Sequence, residues 1–423
     1  MTWLVVFGII AAALFGAPLF SIFGVAALVC FFNAGIDTQA IIIAMSRLVS
    51  APILVAIPLF TFAGYMMAES KTPERMVRLA EALIGWMPGG MAIVALFACA
   101  FFTAFTGASG VTIIALGGLL YPVLLKQGFT QKFSLGLVTT CGSLGLLFPP
   151  SLPLILYGLV AKVDVDKLFI AGLLPGFVLM ALLGIYSIWK NRGSQRKYSF
   201  QWKELCSATR AAIWEVPLPL IILVGIYGGY TTAAESAAVA AFYVLIVEVF
   251  IYRDLKITTD VPRVMKESMV LVGGILIILA VALGFTDFII DEQIPMKIFE
   301  WIRQYIHSKA TFLILLNIFL LIVGMLMDIF SAIIVVVPLI LPIAQSFGVN
   351  PMHLGIIFLT NLEIGYLTPP VGLNLYLSSY RFKEPIMKIV KDVLPFIVLL
   401  LTGLLLITYV PDLSLWLIRL FGS

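Results

Sequence analysis

The 423-residue chain is poor in charge, in cysteine and in histidine, and each shortage excludes a class of protein. Charged residues make up 11% of it, against about 25% in soluble domains, while 62% of the residues are hydrophobic. A water-soluble globular fold is therefore excluded. The four cysteines are scattered without a CxxC pair, and the two histidines stand in no HExxH context. Neither a disulfide framework, a zinc site nor metal-dependent catalysis is indicated.

The small excess of positive charge, +4, does not predict nucleic-acid binding. Lysines and arginines occur in short segments between apolar runs, without interleaved aromatic residues, which is typical of loops that orient a membrane protein. Residues 1–15 lack a basic n-region, so they are predicted to form a first membrane span rather than a cleaved signal peptide.

Apolar runs between charged loops predict ten membrane crossings. They lie near 2–15, 18–33, 50–68, 131–158, 168–189, 213–230, 235–252, 268–288, 352–380 and 393–410. Two further apolar stretches, 90–125 and 310–343, are longer than the ~20 residues that one span needs. Their centres, Thr103–Gly110 and Gly324–Ser331, carry polar or glycine residues. We predict two re-entrant hairpins, because such backbone survives at membrane depth only where protein or a water-filled cavity covers it.

One motif occurs twice. Residues 142–151 read GSLGLLFPPS, and residues 362–371, which lie 220 positions later, read LEIGYLTPPV. Proline pairs lack N–H groups and block helical hydrogen bonds, so each copy predicts a broken helix with carbonyl oxygens that have no intrahelical partner. Paired interruptions at corresponding positions of two halves indicate the binding site of a transporter.

The distribution of basic residues predicts the orientation. If the N-terminus lies on the outer side, 19 of the 26 lysines and arginines fall in cytoplasmic loops, which favours this arrangement over its mirror image. Both termini then face outward, and five crossings per half place the second half upside down relative to the first. The sequence thus predicts an all-α polytopic membrane protein built as an inverted repeat, with hairpin tips that meet near the midplane.

The interruptions suit both a cation and an anion. The half-helix before each break ends in carbonyls with negative dipole charge, and the half-helix after it offers N–H groups. Nearby serine and threonine hydroxyls add oxygen ligands, unless they bond back to their own helices. Asp328, within the second hairpin tip, either handles substrate or an ion or caps the second arm of the hairpin. Glu363 either orients the second break through N–H contacts or meets substrate.

Three segments carry a resemblance to a known family: residues 50–64 (SAPILVAIPLFTFAG), 142–151, and 361–375 (NLEIGYLTPPVGLNL). They resemble the large membrane subunit of tripartite ATP-independent periplasmic (TRAP) transporters. The likeness runs from about residue 40 to 400. It implies a bacterial inner-membrane, sodium-driven importer with an elevator-type transport domain. It also implies two partners, a small four-helix membrane subunit and a periplasmic substrate-binding protein, and an organic-acid substrate such as a dicarboxylate, a keto acid or a sialic acid.

The resemblance also implies site residues, with backbone carbonyls as the main sodium ligands. The first sodium site is implied at Thr103, Thr106, Gly145, Phe148 and Pro150. Its symmetry mate is implied at Val323, Leu326, Gly365, Thr368 and Pro370. Substrate is expected near Ser109, Ser143, Asp328 and Asn374. The second tip departs from the family pattern, since residues 328–331 read DIFS in place of an Asp-Pro-Thr type of sequence.

The predicted division of the chain has five parts. These are scaffold helices at 1–85, the first transport half at 86–160, scaffold and connecting helices at 161–305, the second transport half at 306–380 and a C-terminal scaffold helix at 381–423. Two other interpretations stay open. One is a stand-alone sodium/carboxylate carrier that needs no binding protein, and the other is a membrane scaffold or sensor that transports nothing. An intramembrane enzyme has no catalytic constellation in its favour.

Overall fold

A computed structural model describes residue 11 and residues 17–87, 89–191 and 200–421. The predicted crossing at 2–15 lies outside the described residues, apart from residue 11. The described residues form helices and connecting loops, without a β-strand. The helices are Leu19–Asn33, Gln39–Val49, Ala56–Glu69, Thr72–Ile84, Gly90–Thr106, Ser109–Lys126, Gln131–Cys141, Leu152–Ala161, Val165–Lys190, Trp202–Ala211, Pro217–Tyr227, Ala233–Ile251, Asp260–Asp291, Ile294–Arg303, Lys309–Leu326, Ile329–Ser346, Pro351–Gly365, Leu373–Phe382, Ile386–Tyr409 and Asp412–Phe421.

Both predicted hairpins consist of two helices joined by a short break. Hairpin 1 comprises Gly90–Thr106 and Ser109–Lys126, and hairpin 2 comprises Lys309–Leu326 and Ile329–Ser346. The first break turns at Gly107, which has φ 63°, a conformation that favours glycine. A Cβ there would also lie 2.5 Å from the side chain of Leu152. The two breaks fall inside the predicted tips.

The repeated motif forms a broken helix in each half. Broken helix 1 comprises Gln131–Cys141 and Leu152–Ala161, with a 3₁₀ turn between them and a bend of 44°. Broken helix 2 comprises Pro351–Gly365 and Leu373–Phe382. The second proline of each pair follows a cis peptide bond. The two copies differ in where the first half-helix ends, at Cys141 in the first and at Gly365, which matches Gly145, in the second.

Eight described helices are long and apolar enough to cross a membrane, or nine if the bent pair of broken helix 1 counts as one span. Three of the eight are hairpin arms. Length and apolarity alone therefore do not separate a re-entrant arm from a full crossing. Five shorter helices were not predicted, because each carries charged residues and is shorter than a span. They are Gln39–Val49, Thr72–Ile84, Trp202–Ala211, Ile294–Arg303 and Asp412–Phe421.

The helices pack as two groups. The hairpins and broken helices pack together with Val165–Lys190 and Ile386–Tyr409. The second group is formed mainly by Ala56–Glu69, Ala233–Ile251 and Asp260–Asp291, and the first of these packs against both of the others. The predicted division had placed 165–190 and 386–409 with the scaffold. Both helices bury apolar side chains against the broken helices, and the division into transport and scaffold parts stays a prediction.

A charged cluster closes one end of the second group. Arg75 forms ion pairs with Glu215, with Glu248 at 3.1 Å and with Asp254 at 2.5 Å, and its guanidinium lies over the ring of Tyr252. The three acids lie between 140 and 179 residues from Arg75 in sequence. These ion pairs around one nearly buried arginine join segments that are far apart in the sequence.

Candidate functional site

Break 1, residues 142–151, packs against hairpin 1 through a glycine. A Cβ at Gly145 would lie 2.3 Å from the carbonyl oxygen of Ala100 and 2.5 Å from the backbone nitrogen of Ala104. Only glycine allows this approach. Thr103 is buried beside it, and its Oγ1 donates to the carbonyl oxygen of Gly142 at 2.8 Å. The same hydroxyl lies 2.7 Å from Oγ1 of Thr112. Hydroxyl and carbonyl oxygens thus converge between the hairpin tip and the break.

Break 2, residues 362–371, repeats the close approach without the hydroxyl. A Cβ at Gly365 would lie 2.5 Å from the carbonyl carbon of Gly324 in hairpin 2. Val323 stands where the first half has Thr103, so no side-chain oxygen is present at that position. The Thr368 hydroxyl donates to the carbonyl oxygen of Ile364, in the helix that precedes the break, at 2.9 Å. In this half the potential ion ligands are therefore mainly backbone carbonyls.

The other predicted sodium-binding residues differ in burial and in hydrogen bonding. The buried Thr106 hydroxyl is 3.5 Å from the carbonyl oxygen of Ala108 at the hairpin break. Phe148 donates its N–H to the carbonyl oxygen of Gly145 and packs its ring edge-on against Phe177. The other three are Pro150, buried within break 1, Pro370, exposed in break 2, and Leu326, whose side chain is 56% exposed.

Two predicted substrate residues meet across the halves. Ser109 begins the second arm of hairpin 1, and Asn374 lies in the first turn of the helix after break 2. The Ser109 hydroxyl donates to Oδ1 of Asn374 at 2.8 Å, and both side chains are buried. Nδ2 of Asn374 is buried and has no hydrogen-bond partner among the described residues. The pair therefore joins the two halves and offers an amide N–H to a ligand.

The other two predicted substrate residues have local partners. The buried Ser143 hydroxyl is 3.4 Å from the carbonyl oxygen of Thr140, one turn earlier. Asp328 caps the second arm of hairpin 2, where Oδ2 accepts from the backbone N–H groups of Phe330 and Ser331 at 3.0 Å each. The side chain of Asp328 is exposed. Of the two alternatives for Asp328, the helix cap is present, and a role toward a ligand stays a prediction.

Residues 4–413 match the family of the tripartite ATP-independent periplasmic transporter, DctM component. The chain belongs to this family. It is 37% identical over 364 residues to the C4-dicarboxylate TRAP transporter large permease protein DctM of Pseudomonas aeruginosa, a match that covers 86% of this chain and 85% of the relative. It is 30% identical over 422 residues to the ectoine TRAP transporter large permease protein TeaC of Halomonas elongata, a match that covers 99% of each.

A solved structure shares the fold. The YdaH transporter of Alcanivorax borkumensis superposes with a TM-score of 0.65 over 88% of this chain and 87% of that one, at 15% identity. The permease is thus an all-helical, multi-pass protein of the inner membrane. As the large permease of a TRAP transporter, it acts with a small membrane subunit and a periplasmic binding protein.

Sequence reasoning missed a polar network behind hairpin 2 of the permease. Asn361, in broken helix 2, donates Nδ2 to Oδ1 of Asn317 in hairpin 2 at 2.8 Å. Asn317 in turn donates to the Thr408 hydroxyl at 3.1 Å. The sequence signal for this network was the presence of asparagines inside apolar runs. The network ties hairpin 2 and broken helix 2 to the helix Ile386–Tyr409.

Glu363 has no loop-orienting contact. It is fully buried, and neither carboxylate oxygen makes a hydrogen bond to a described residue. The N–H contacts that the sequence suggested are therefore absent among the described residues. A buried acidic group without a partner is costly at membrane depth.

Proposed function

We propose that this permease imports a small organic acid across the bacterial inner membrane, driven by sodium, and receives it from the periplasmic binding protein. The observation that carries the proposal is the contact between Ser109 and Asn374. It joins the tip of hairpin 1 to broken helix 2, where the two halves meet beside their interruptions. Binding at such a junction responds to movement of either half, as import requires.

The available donors suit a carboxylate. The relatives are named for C4-dicarboxylates and for ectoine, and both compounds carry carboxylate groups. No lysine or arginine is buried in the part of the chain that the structure describes. A neutral donor such as Nδ2 of Asn374 would then bind the anion. The charge of nearby sodium ions compensates that of the substrate.

Sodium is a transported ion in this proposal. The Thr103 hydroxyl, the Gly142 carbonyl and the backbone of break 1 supply the oxygen ligands that broken helices offer to sodium. The corresponding ion in the second half would rely on backbone carbonyls near Gly365. Coupling requires that sodium stabilise the substrate-binding conformation more than the other conformation. Sodium between hairpin tip and break does so by holding the two together.

The proposed movement is of elevator type. The hairpins and broken helices, with Val165–Lys190 and Ile386–Tyr409, move as one body against the other group of helices. Their boundary includes Gly64, where a Cβ would lie 2.3 Å from the carbonyl oxygen of Phe105 near the tip of hairpin 1. The stationary group would be completed by a four-helix small subunit. The weakly buried helix Asp260–Asp291 leaves an apolar surface for that subunit or for lipid.

Uptake into proteoliposomes tests this function. The permease is reconstituted with its small subunit, and labelled succinate and labelled sialic acid are offered with and without the binding protein and an inward sodium gradient. We expect accumulation of one substrate that requires both additions. Uptake without the binding protein would indicate a stand-alone carrier instead. If neither acid accumulates under any condition with a correctly assembled complex, the proposed substrate class is wrong.

Replacing Thr103 tests the first sodium site. We expect Thr103→Val to raise the half-saturating sodium concentration about tenfold, because the variant loses the hydroxyl beside the Gly142 carbonyl that would bind sodium. Thr103→Ser keeps the hydroxyl and should restore most of the affinity. The matched control is Thr402→Val, since the exposed Thr402 hydroxyl bonds only to its own helix. An unchanged sodium dependence of succinate uptake in Thr103→Val would remove this residue from the site.

A further inference from the structure

One face of the helix Leu373–Phe382 connects the second half to the first half. Its contact residues are spaced by four and then three positions, so they share one side of the helix. Every partner lies in hairpin 1 or broken helix 1. The three contacts are Asn374 with Ser109 at 2.8 Å, Ser378 with Thr139 at 2.9 Å and Arg381 with Ile114 at 2.8 Å.

The last contact involves an arginine and a π-helical turn. Residues Ile113–Gly117 form this turn in the second arm of hairpin 1, and such wide turns are frequent at functional sites. Nε of Arg381 donates to the carbonyl oxygen of Ile114. The guanidinium lies directly over Gly118, where a Cβ would come within 1.8 Å of Nη2. In this position the guanidinium occupies the space that a Cβ of residue 118 would take.

We propose that Arg381 is a positioning residue, whose guanidinium clasps hairpin 1 to broken helix 2 and so holds Ser109 and Asn374 at the distance that substrate binding requires. The proposal rests on the proposed function. Asn374 and Arg381 are seven residues apart on one helix, or about 10 Å. Because helices are stiff over such a length, fixing the Arg381 end also fixes the position of Asn374.

The contact between Arg381 and hairpin 1 can break as well as form. A hydrogen bond from a charged donor is stronger than one between neutral groups. Arg381 is also exposed, so a broken contact leaves its charge in water rather than buried without a partner. By the predicted orientation, Arg381 lies on the cytoplasmic side, where the transported acid leaves. Opening of the clasp would separate Ser109 from Asn374 and weaken substrate binding at that point.

A double-mutant cycle tests the clasp in the reconstituted complex with its small subunit and binding protein. Arg381→Gln removes the guanidinium with its charge and its reach, and Gly118→Ala places a methyl group where the guanidinium lies. We expect each variant to raise the half-saturating succinate concentration about fivefold, with a maximal uptake rate within about twofold of the unmodified permease. The double variant should be no worse than either single one, because both changes break one contact. Arg381→Lys should recover part of the affinity.

The controls use positions without this contact. Arg419→Gln removes an exposed arginine that pairs with Asp412, and Gly184→Ala adds a Cβ whose nearest neighbouring atom is a Leu96 methyl carbon at 3.9 Å. Both should leave uptake unchanged.

Unchanged succinate affinity in the two single variants, or effects that multiply in the double variant, would overturn the clasp. If uptake does not depend on sodium, the proposed sodium coupling is wrong, but the double-mutant cycle still tests the role of Arg381. If the complex transports nothing, the unfolding midpoint is measured for the same variants, and additive shifts would overturn the clasp.

Discussion

Gly145→Val is expected to lower substrate uptake at least about a hundredfold, since misplacing a binding site by about 1 Å has effects of that order. A Cβ at Gly145 would lie 2.3 Å and 2.5 Å from backbone atoms of Ala100 and Ala104, which cannot rotate away. Hairpin 1 must then separate from break 1, and Thr103 loses the Gly142 carbonyl. Initial uptake rates per assembled complex, measured at saturating sodium, provide the test.

The control for this prediction is Gly184→Ala in the helix Val165–Lys190, where a Cβ would meet only a Leu96 methyl carbon, at 3.9 Å. Gly145→Ala should fall between the two, because its single methyl group requires a smaller displacement. Elution volume and unfolding midpoint separate a local effect from a failure to fold. Near-normal uptake by a well-folded Gly145→Val permease would show that the contact between hairpin and break is not needed for transport.

Asn374→Asp is expected to abolish carboxylate uptake, with a loss of at least about a hundredfold in the ratio of maximal rate to half-saturating concentration. The change keeps the side-chain shape but replaces the unpartnered buried donor Nδ2 with a second carboxylate oxygen. That oxygen repels an anionic substrate and cannot donate to it. Asn374→Ala should lose less, about tenfold, because it removes the hydrogen bonds without adding charge.

Ser109→Ala tests the contribution of the serine hydroxyl separately from that of Asn374. This hydroxyl serves mainly to orient Asn374, so its loss should raise the half-saturating substrate concentration only a few-fold. The control for the asparagine changes is Asn191→Ala, since the amide of Asn191 donates to the carbonyl oxygen of Ser187 in its own helix. If Asn374→Asp takes up succinate normally, the carboxylate of the substrate does not bind at Asn374.

Much of the architecture follows from local sequence signals. The hairpins lie within a few residues of their predicted bounds, because glycine and polar residues inside a long apolar run have few other solutions in a membrane. The proline pairs at 149–150 and 369–370 produce the two breaks that their chemistry predicts. The short amphipathic helices were missed because their signal differs from that of a span.

The candidate site was predictable as a set of residues but not as a set of contacts. Thr103 and Thr368 give the same signal in the sequence, a hydroxyl next to an interruption. In the structure, the first donates across to the Gly142 carbonyl and the second donates back to the helix that precedes it in the chain. Which of the two occurs depends on the neighbouring helix, since Thr103 faces broken helix 1 across a glycine contact.

The sequence by itself determined the membrane class, the duplication and the positions of the interruptions, because these depend on side-chain polarity and on the backbone limits of proline and glycine. Only the tertiary structure decided which residues meet. Ser109 reaches Asn374 over 265 positions, and Arg381 reaches Ile114 over 267. Apolar side chains that are interchangeable in hydropathy set these pairings through their packing, and packing depends on shape in three dimensions rather than on order along the chain.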